Sequence, residues 1–320
     1  MPVISANVEK GHPIPEAPRR VQPTRRCYTL RFSNMPTLPA VLKLDNLLVA
    51  TDFSPASQLA TRFAIEMARR HNAKLLMTHV AASQSERPLM EAWRAGQSEI
   101  MGHFIAGRLT GIEHELLVKP GEVWGVLSEL IAERSIDLVV VGTRGRTGVW
   151  KLIMGSVAER IFRQAPCPVL IVGPSSSQDP EAGTQRILVP TGFAHQSLYA
   201  VRYAVWLAEQ LQSSLAVLHV VTDAERLAPE EKERIGNERL KRLRALIPED
   251  AKLPSAPQFL VQFGAATSQI LETSATWNPN LMVLGLRPVK ETARPETTQA
   301  KAYEIVCKAP CPVLTVREPA

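Results

Sequence analysis

Leu48-Val49-Ala50-Thr51-Asp52-Phe53-Ser54 returns 140 residues further along the chain as Leu188-Val189-Pro190-Thr191-Gly192-Phe193-Ala194. The same offset carries Ser57 onto Ser197, Arg62 onto Arg202 and His79-Val80 onto His219-Val220. Beyond it, an offset of 143 carries Gly121 onto Gly264 and Val140-Val141-Gly142-Thr143-Arg144 onto Val283-Leu284-Gly285-Leu286-Arg287. Both copies close on the same words, Ala165-Pro166-Cys167-Pro168-Val169-Leu170 and Ala309-Pro310-Cys311-Pro312-Val313-Leu314. Self-similarity at a long, fixed spacing marks a duplicated structural unit, and 320 residues is the length of two ordinary domains.

Within a copy, short apolar runs alternate with stretches of helical period. In the first copy the runs predict strands at Asn46 to Thr51, Lys74 to Val80, Glu113 to Val118, Asp137 to Val141 and Val169 to Val172. Between the first two, Leu59, Ala60, Phe63, Ala64 and Met67 recur at spacings of three and four, with Arg62, Glu66, Arg69 and Arg70 on other faces; that is a helix covering a sheet. Strands nearly continuous in Val, Leu and Ile, each separated by a helix, belong to a parallel sheet buried on both faces. The expectation is an α/β protein of two tandem doubly wound, Rossmann-like domains, each on a five-stranded parallel sheet.

The boundaries expected are an extension over 1–43, a first domain over 44–173, a linker over 174–184 and a second domain over 185–318. The extension holds Pro2, Pro13, Pro15, Pro18, Pro23, Pro36 and Pro39 among arginines, which neither sustains a helix nor offers much to bury. It reads as a flexible arm, with a basic nucleic-acid or anionic-lipid arm and a translation start at Met35 as the alternatives. Residues 1 to 40 hold six basic and two acidic side chains, leaving 31 basic against 29 acidic for the body, so the net charge of +6 predicts no nucleic-acid footprint there. No apolar run reaches membrane-span length, and Met1-Pro2-Val3-Ile4-Ser5 lacks a leader's pattern. A cytoplasmic location follows as an expectation. The four cysteines, Cys27, Cys167, Cys307 and Cys311, form no Cys-x-x-Cys pair and predict free thiols.

In an open parallel sheet, ligands bind beyond the carboxyl ends of the strands where strand order reverses. That places Thr51-Asp52-Phe53-Ser54 after the first strand and Gly142-Thr143-Arg144-Gly145-Arg146-Thr147-Gly148, followed by Gly155-Ser156, after the fourth. Glycines let backbone amides approach an anion, and Ser156 at a helix start adds a hydroxyl, unpaired amides and the positive dipole end. This is a phosphate cradle, although its spacing matches neither the P-loop nor the dinucleotide fingerprint. Asp52 also suits a helix cap ahead of Pro55. No Gly-x-Ser-x-Gly elbow and no paired His spacing support a serine triad or a histidine-bound metal.

Gly142, two residues, Gly145, nine residues, Gly155-Ser156, and then Pro-Cys-Pro-Val-Leu-Ile-Val from Pro166, resemble the ATP-binding branch of the universal stress proteins, and the likeness covers both copies from about Asn46 to Val172 and Gln185 to Arg317. The resemblance implies that Asp52 and the main chain of Val80 contact adenosine, with Thr51 beside them. It further implies that Gly142, Arg144, Gly145, Gly155, Ser156 and Val157 hold ribose and phosphates, with Mg2+ or Mn2+ near the phosphates. Members often carry proline where Ala50 stands. In dimeric members the final strand pairs across a two-fold axis, which implies an internal pseudo-dimer here through Val169 to Val172 and Val313 to Val316. Assembly into a homodimer is left open.

The second copy departs from that pattern. Asp52 is answered by Gly192, Gly145 by Pro288, and the Gly155-Ser156 stretch by Thr297-Thr298-Gln299; proline removes an amide donor and larger residues block close backbone approach. One competent and one degenerate site are expected. The reading is an ATP-binding stress-response regulator with an unidentified protein partner and at most slow hydrolysis. The alternatives are an ATP-independent scaffold and an adenylate-forming or ATP-hydrolysing enzyme.

Overall fold

The computed structural model describes residues 42–81, 107–143, 154–173, 176, 179–288 and 297–318, all within one compact unit. The first copy supplies β1 (Asn46–Ala50), α1 (Pro55–His71), β2 (Lys74–Ala81), β3 (His114–Pro120), α2 (Val123–Glu133), β4 (Leu138–Gly142), α3 (Ser156–Gln164) and β5 (Val169–Val172). The second supplies β6 (Arg186–Pro190), α4 (His195–Leu211), β7 (Ser214–Val221), α5 (Pro229–Arg244), β8 (Gln258–Phe263), α6 (Ala266–Trp277), β9 (Leu281–Leu286), α7 (Thr297–Lys308) and β10 (Val313–Arg317). The expected strands lie within two residues of those observed. The extension falls outside the described residues up to position 41, as do Arg144 and Gly145.

The ten strands form one sheet in the order β3-β2-β1-β4-β5-β10-β9-β6-β7-β8. Within each copy neighbouring strands are parallel. The two halves meet at β5 and β10, which run antiparallel with Val313 opposite Ile171, Leu314 opposite Leu170 and Thr315 opposite Val169. The internal pairing of the final strands is therefore present. One apolar cluster continues across this seam, drawing Leu48, Val139, Phe162 and Ile171 from the first copy and Met282, Ile305, Val306 and Val313 from the second.

The buried face of α1 is turned from the one its apolar spacing predicts and is built of smaller side chains. Its buried residues are Ser57, Ala60, Thr61, Ala64, Ile65, Met67 and Ala68, while Leu59 and Phe63 are only half-buried. The cause is how closely α1 lies on β4. A Cβ placed on Gly142 would sit 2.7 Å from the backbone carbon and oxygen of Ala56 and 2.9 Å from the nitrogen of Ser57. Gly285, its counterpart on β9, meets the backbone of Gln196 on α4 more closely still. Each glycine is thus required by helix-on-sheet packing.

The described part of the linker carries local structure. Asp179 caps a 3-10 turn at Pro180–Ala182, and its carboxylate takes Arg62 of α1 at 3.1 Å. A short polar link that can pair with the helix beside it gains local order that composition alone does not signal.

Candidate functional site

Ala50 and Thr51 at the end of β1, Thr78 to Val80 on β2, Val141 to Thr143 at the end of β4, Val123 opening α2, and Gly155 to Ala158 opening α3 surround a cavity of about 230 Å³, with Asp52 and Ser57 at its side. Of the residues expected to bind, Thr51, Asp52, Val80, Gly142, Gly155, Ser156 and Val157 all line this cleft; Arg144 and Gly145 lie outside the described residues.

Their local roles divide. Thr51 Oγ1 accepts the Phe53 amide at 3.1 Å and lies 3.1 Å from Ser57 Oγ. Its carbonyl lies 2.8 Å from His79 Nδ1, and the His79 ring lies against Phe53, which takes a left-handed φ of 64°. The second copy repeats the arrangement through Thr191, Phe193, Ser197 and His219. Thr51 is therefore the brace of a turn common to both copies. Asp52 is not the helix cap: Ser54 caps α1, its side chain accepting from the Ser57 amide, and Asp52 Oδ1 accepts the Ser54 amide at 3.1 Å. This carboxylate, absent at Gly192, stands half-buried at the cleft.

Among the described residues α2 and α3, like α1, begin at the cleft, and of the three only α3 is not closed by a side chain. Glu122 accepts the amides of Trp124 at 3.1 Å and Gly125 at 2.8 Å at the head of α2. These hydrogen bonds, first that from Gly125, hold its carboxyl below the usual carboxylate range. Glu122 also pairs with Arg160 of α3 at 2.9 Å. At the head of α3, Gly155 stands as N-cap with no side-chain cap bond. Its own amide is committed to the Thr143 carbonyl at 2.7 Å, so Gly155 brings no free amide to the cleft, and the amides there without an intrahelical partner are those of the first turn, Ser156 to Ala158.

Sequence reasoning passed over Thr78 and Thr143. Both hydroxyls are buried in the cleft wall with no hydrogen-bond partner among the described residues. Burying a hydroxyl unpaired costs about 1 to 3 kcal/mol, a cost relieved when a ligand supplies the missing partner. The signal was available in the repeat itself: the offsets of 140 and 143 place Leu218 and Leu286 at these positions, so the second copy has apolar side chains where the first has two orphaned hydroxyls.

A family model described as the universal stress protein family matches residues 43–173 and again residues 183–317. The chain belongs to the universal stress protein family. One relative of this tandem universal stress protein, from Staphylococcus haemolyticus, is 30% identical over 142 residues, covering 41% of this chain and 86% of its own. Another, from Staphylococcus aureus, is 32% identical over 143 residues with the same coverage. Among solved structures, a universal stress protein from Archaeoglobus fulgidus superposes with a TM-score of 0.61 at 16% identity, covering 86% of this chain and 98% of that one. One from Pseudomonas aeruginosa gives 0.58 at 16%, covering 86% and 93%. Such identities speak for the fold alone, and the fold they share is the α/β architecture described above.

In this universal stress protein the thiols near the seam are inert: burial pushes Cys167 and Cys311 up to about 12, far above the range of a reactive thiolate. Among the described residues no group of three His, Cys, Asp or Glu side chains gathers to hold a metal, and no helix is long and apolar enough to cross a membrane.

Proposed function

We propose that the first copy binds ATP and the second does not, and that nucleotide occupancy controls how this cytoplasmic protein engages a partner during stress, with at most slow hydrolysis. The observation that carries the reading is the pair of orphaned hydroxyls, Thr78 and Thr143, in the wall of a cleft that also holds Asp52 and the open head of α3. Donors and acceptors left unpaired in one copy and replaced by Leu218 and Leu286 in the other fit a polar ligand seated in the first copy alone.

The apolar wall of Ala50, Val80, Val123 and Val141 suits a planar base. Asp52 is placed to accept ribose hydroxyls, and Ser156 to Ala158 direct amides and the positive helix end at phosphates. A divalent ion, Mg2+ or Mn2+, would be carried by the phosphates themselves. Among the described lining residues the titratable side chains are Asp52 and His79, and both are engaged in the turn after β1, Asp52 with the Ser54 amide and His79 with the Thr51 carbonyl, which favours a binding role over turnover.

The test is the double substitution Thr78→Val and Thr143→Val, which keeps side-chain shape and deletes both hydroxyls. Unliganded, the variant gains about 1 kcal/mol per site and melts a few degrees higher, while calorimetric titration with ATP and Mg2+ shows affinity at least tenfold weaker than the parent. Equal affinity in parent and variant would refute the reading.

A further inference from the structure

α3, whose first turn faces the cleft, is gripped at both ends by side chains of the second copy. At its start, the Tyr303 hydroxyl on α7 accepts the amide of Met154 at 3.2 Å, immediately before the Gly155 cap. The Tyr303 ring meets Phe162 edge-on at 6.2 Å and lies under the Arg163 guanidinium at 5.9 Å. At the far end, Arg317 of β10 is buried and donates to the carbonyls of Phe162 at 2.6 Å, Arg163 at 3.3 Å and Ala165 at 3.4 Å. A cation at the carboxyl end of a helix and an anion at its amino end both complement its dipole.

Among the described residues the grip runs in one direction. The closing words of the copies align at an offset of 144, which places Glu159 opposite Tyr303 and Gly173 opposite Arg317. Glu159 turns to its own helix, pairing with Arg163 at 2.9 Å, and Gly173 has no side chain to reach α7. The asymmetry of the clamp thus parallels the asymmetry of the sequences: the copy with Thr78 and Thr143 is held, and the copy with Leu218 and Leu286 in their place does the holding.

We propose that the second copy is a positioning module for the phosphate end of the first copy's site, with Tyr303 fixing the start of α3 and Arg317 anchoring its end. This rests on the nucleotide reading above. Tyr303 touches no ligand; it acts through Met154, whose amide it fixes one residue ahead of the turn that presents Ser156 to Ala158. Precision at that turn matters for phosphates, which are held by α3, and not for the adenosine part, which is held by β1, β2 and β4.

The test is Tyr303→Phe in the full chain, which keeps the ring on Phe162 and Arg163 and deletes only the hydroxyl. ATP with Mg2+ binds about five- to tenfold more weakly, the worth of one hydrogen bond, while adenosine affinity stays within about twofold of the parent. Unchanged affinity for both ligands, or equal weakening of both, overturns the positioning role. If the parent binds neither ligand, the function proposed above fails. Amide exchange in the unliganded protein then decides the clamp alone: faster exchange across residues 154–158, with β4 unaltered, upholds it, and unchanged exchange overturns it.

Discussion

Arg317→Met loses on the order of 3 kcal/mol of stability, read as a lower urea midpoint with the slope preserved. The guanidinium is buried with no carboxylate paired to it among the described residues, and that burial pushes it down to about 10, so it remains charged at neutral pH. Its compensation is a set of four carbonyls, those of Phe162, Arg163 and Ala165 at the end of α3 and that of Arg287 at 3.0 Å. Methionine restores the apolar stem but leaves these carbonyls turned toward a seam that admits little water. Unsatisfied buried acceptors cost about 1 to 3 kcal/mol, more than is recovered by no longer desolvating one charge whose field was already met by a helix end. Arg317→Lys falls between, because a single ammonium cannot fork to several carbonyls. A midpoint unchanged or raised in Arg317→Met would show that the arginine is a net burden and the seam is held by its apolar cluster alone.

Gly142→Ala costs a similar amount, about 3 kcal/mol, which is the upper end for overpacking against atoms that cannot move aside. The added methyl meets the backbone of Ala56 and Ser57, so α1 must lift from β4. The informative comparison is Gly285→Ala, in the copy with Leu218 and Leu286 in place of the two threonines, which meets the same obstacle at Gln196 and falls in melting temperature as Gly142→Ala does, by roughly 5 to 10 °C in each case. Were Gly142 there only to admit a phosphate, Gly142→Ala would lose affinity at an unchanged melting temperature and Gly285→Ala would be silent.

The strands were legible because a strand buried on both faces must be written in Val, Leu and Ile along its whole length, as Leu138–Gly142 and Val169–Val172 are. The site was legible in outline because Asp52, Gly155 and Ser156 fall at strand and helix ends, where parallel sheets bind ligands. Roles were harder to read than places. Gly142 reads as a cradle glycine, and the distance to Ala56 adds a packing role; Thr51 reads as a ligand group, and the brace repeated at Thr191 adds a structural one. Thr78 sits in Leu75-Leu76-Met77-Thr78-His79-Val80, where threonine passes for an ordinary strand former; only the sheet's register shows that its hydroxyl is buried without a partner. The clamp on α3 was beyond local reading altogether, since Tyr303 lies 149 residues from Met154, and Arg317 155 from Phe162.

The central claim, one nucleotide site in a chain with two copies of the fold, is tested most directly by equilibrium dialysis at saturating ATP and Mg2+, comparing the parent with Gly155→Trp. The backbone at Gly155, φ −63° and ψ 153°, is a conformation that any residue adopts, and Gly155 lines the cleft, so tryptophan is the substitution expected to crowd the nucleotide out. One ATP per chain is expected in the parent and none in the variant. Two per chain, or none in the parent, would contradict a single site in the first copy.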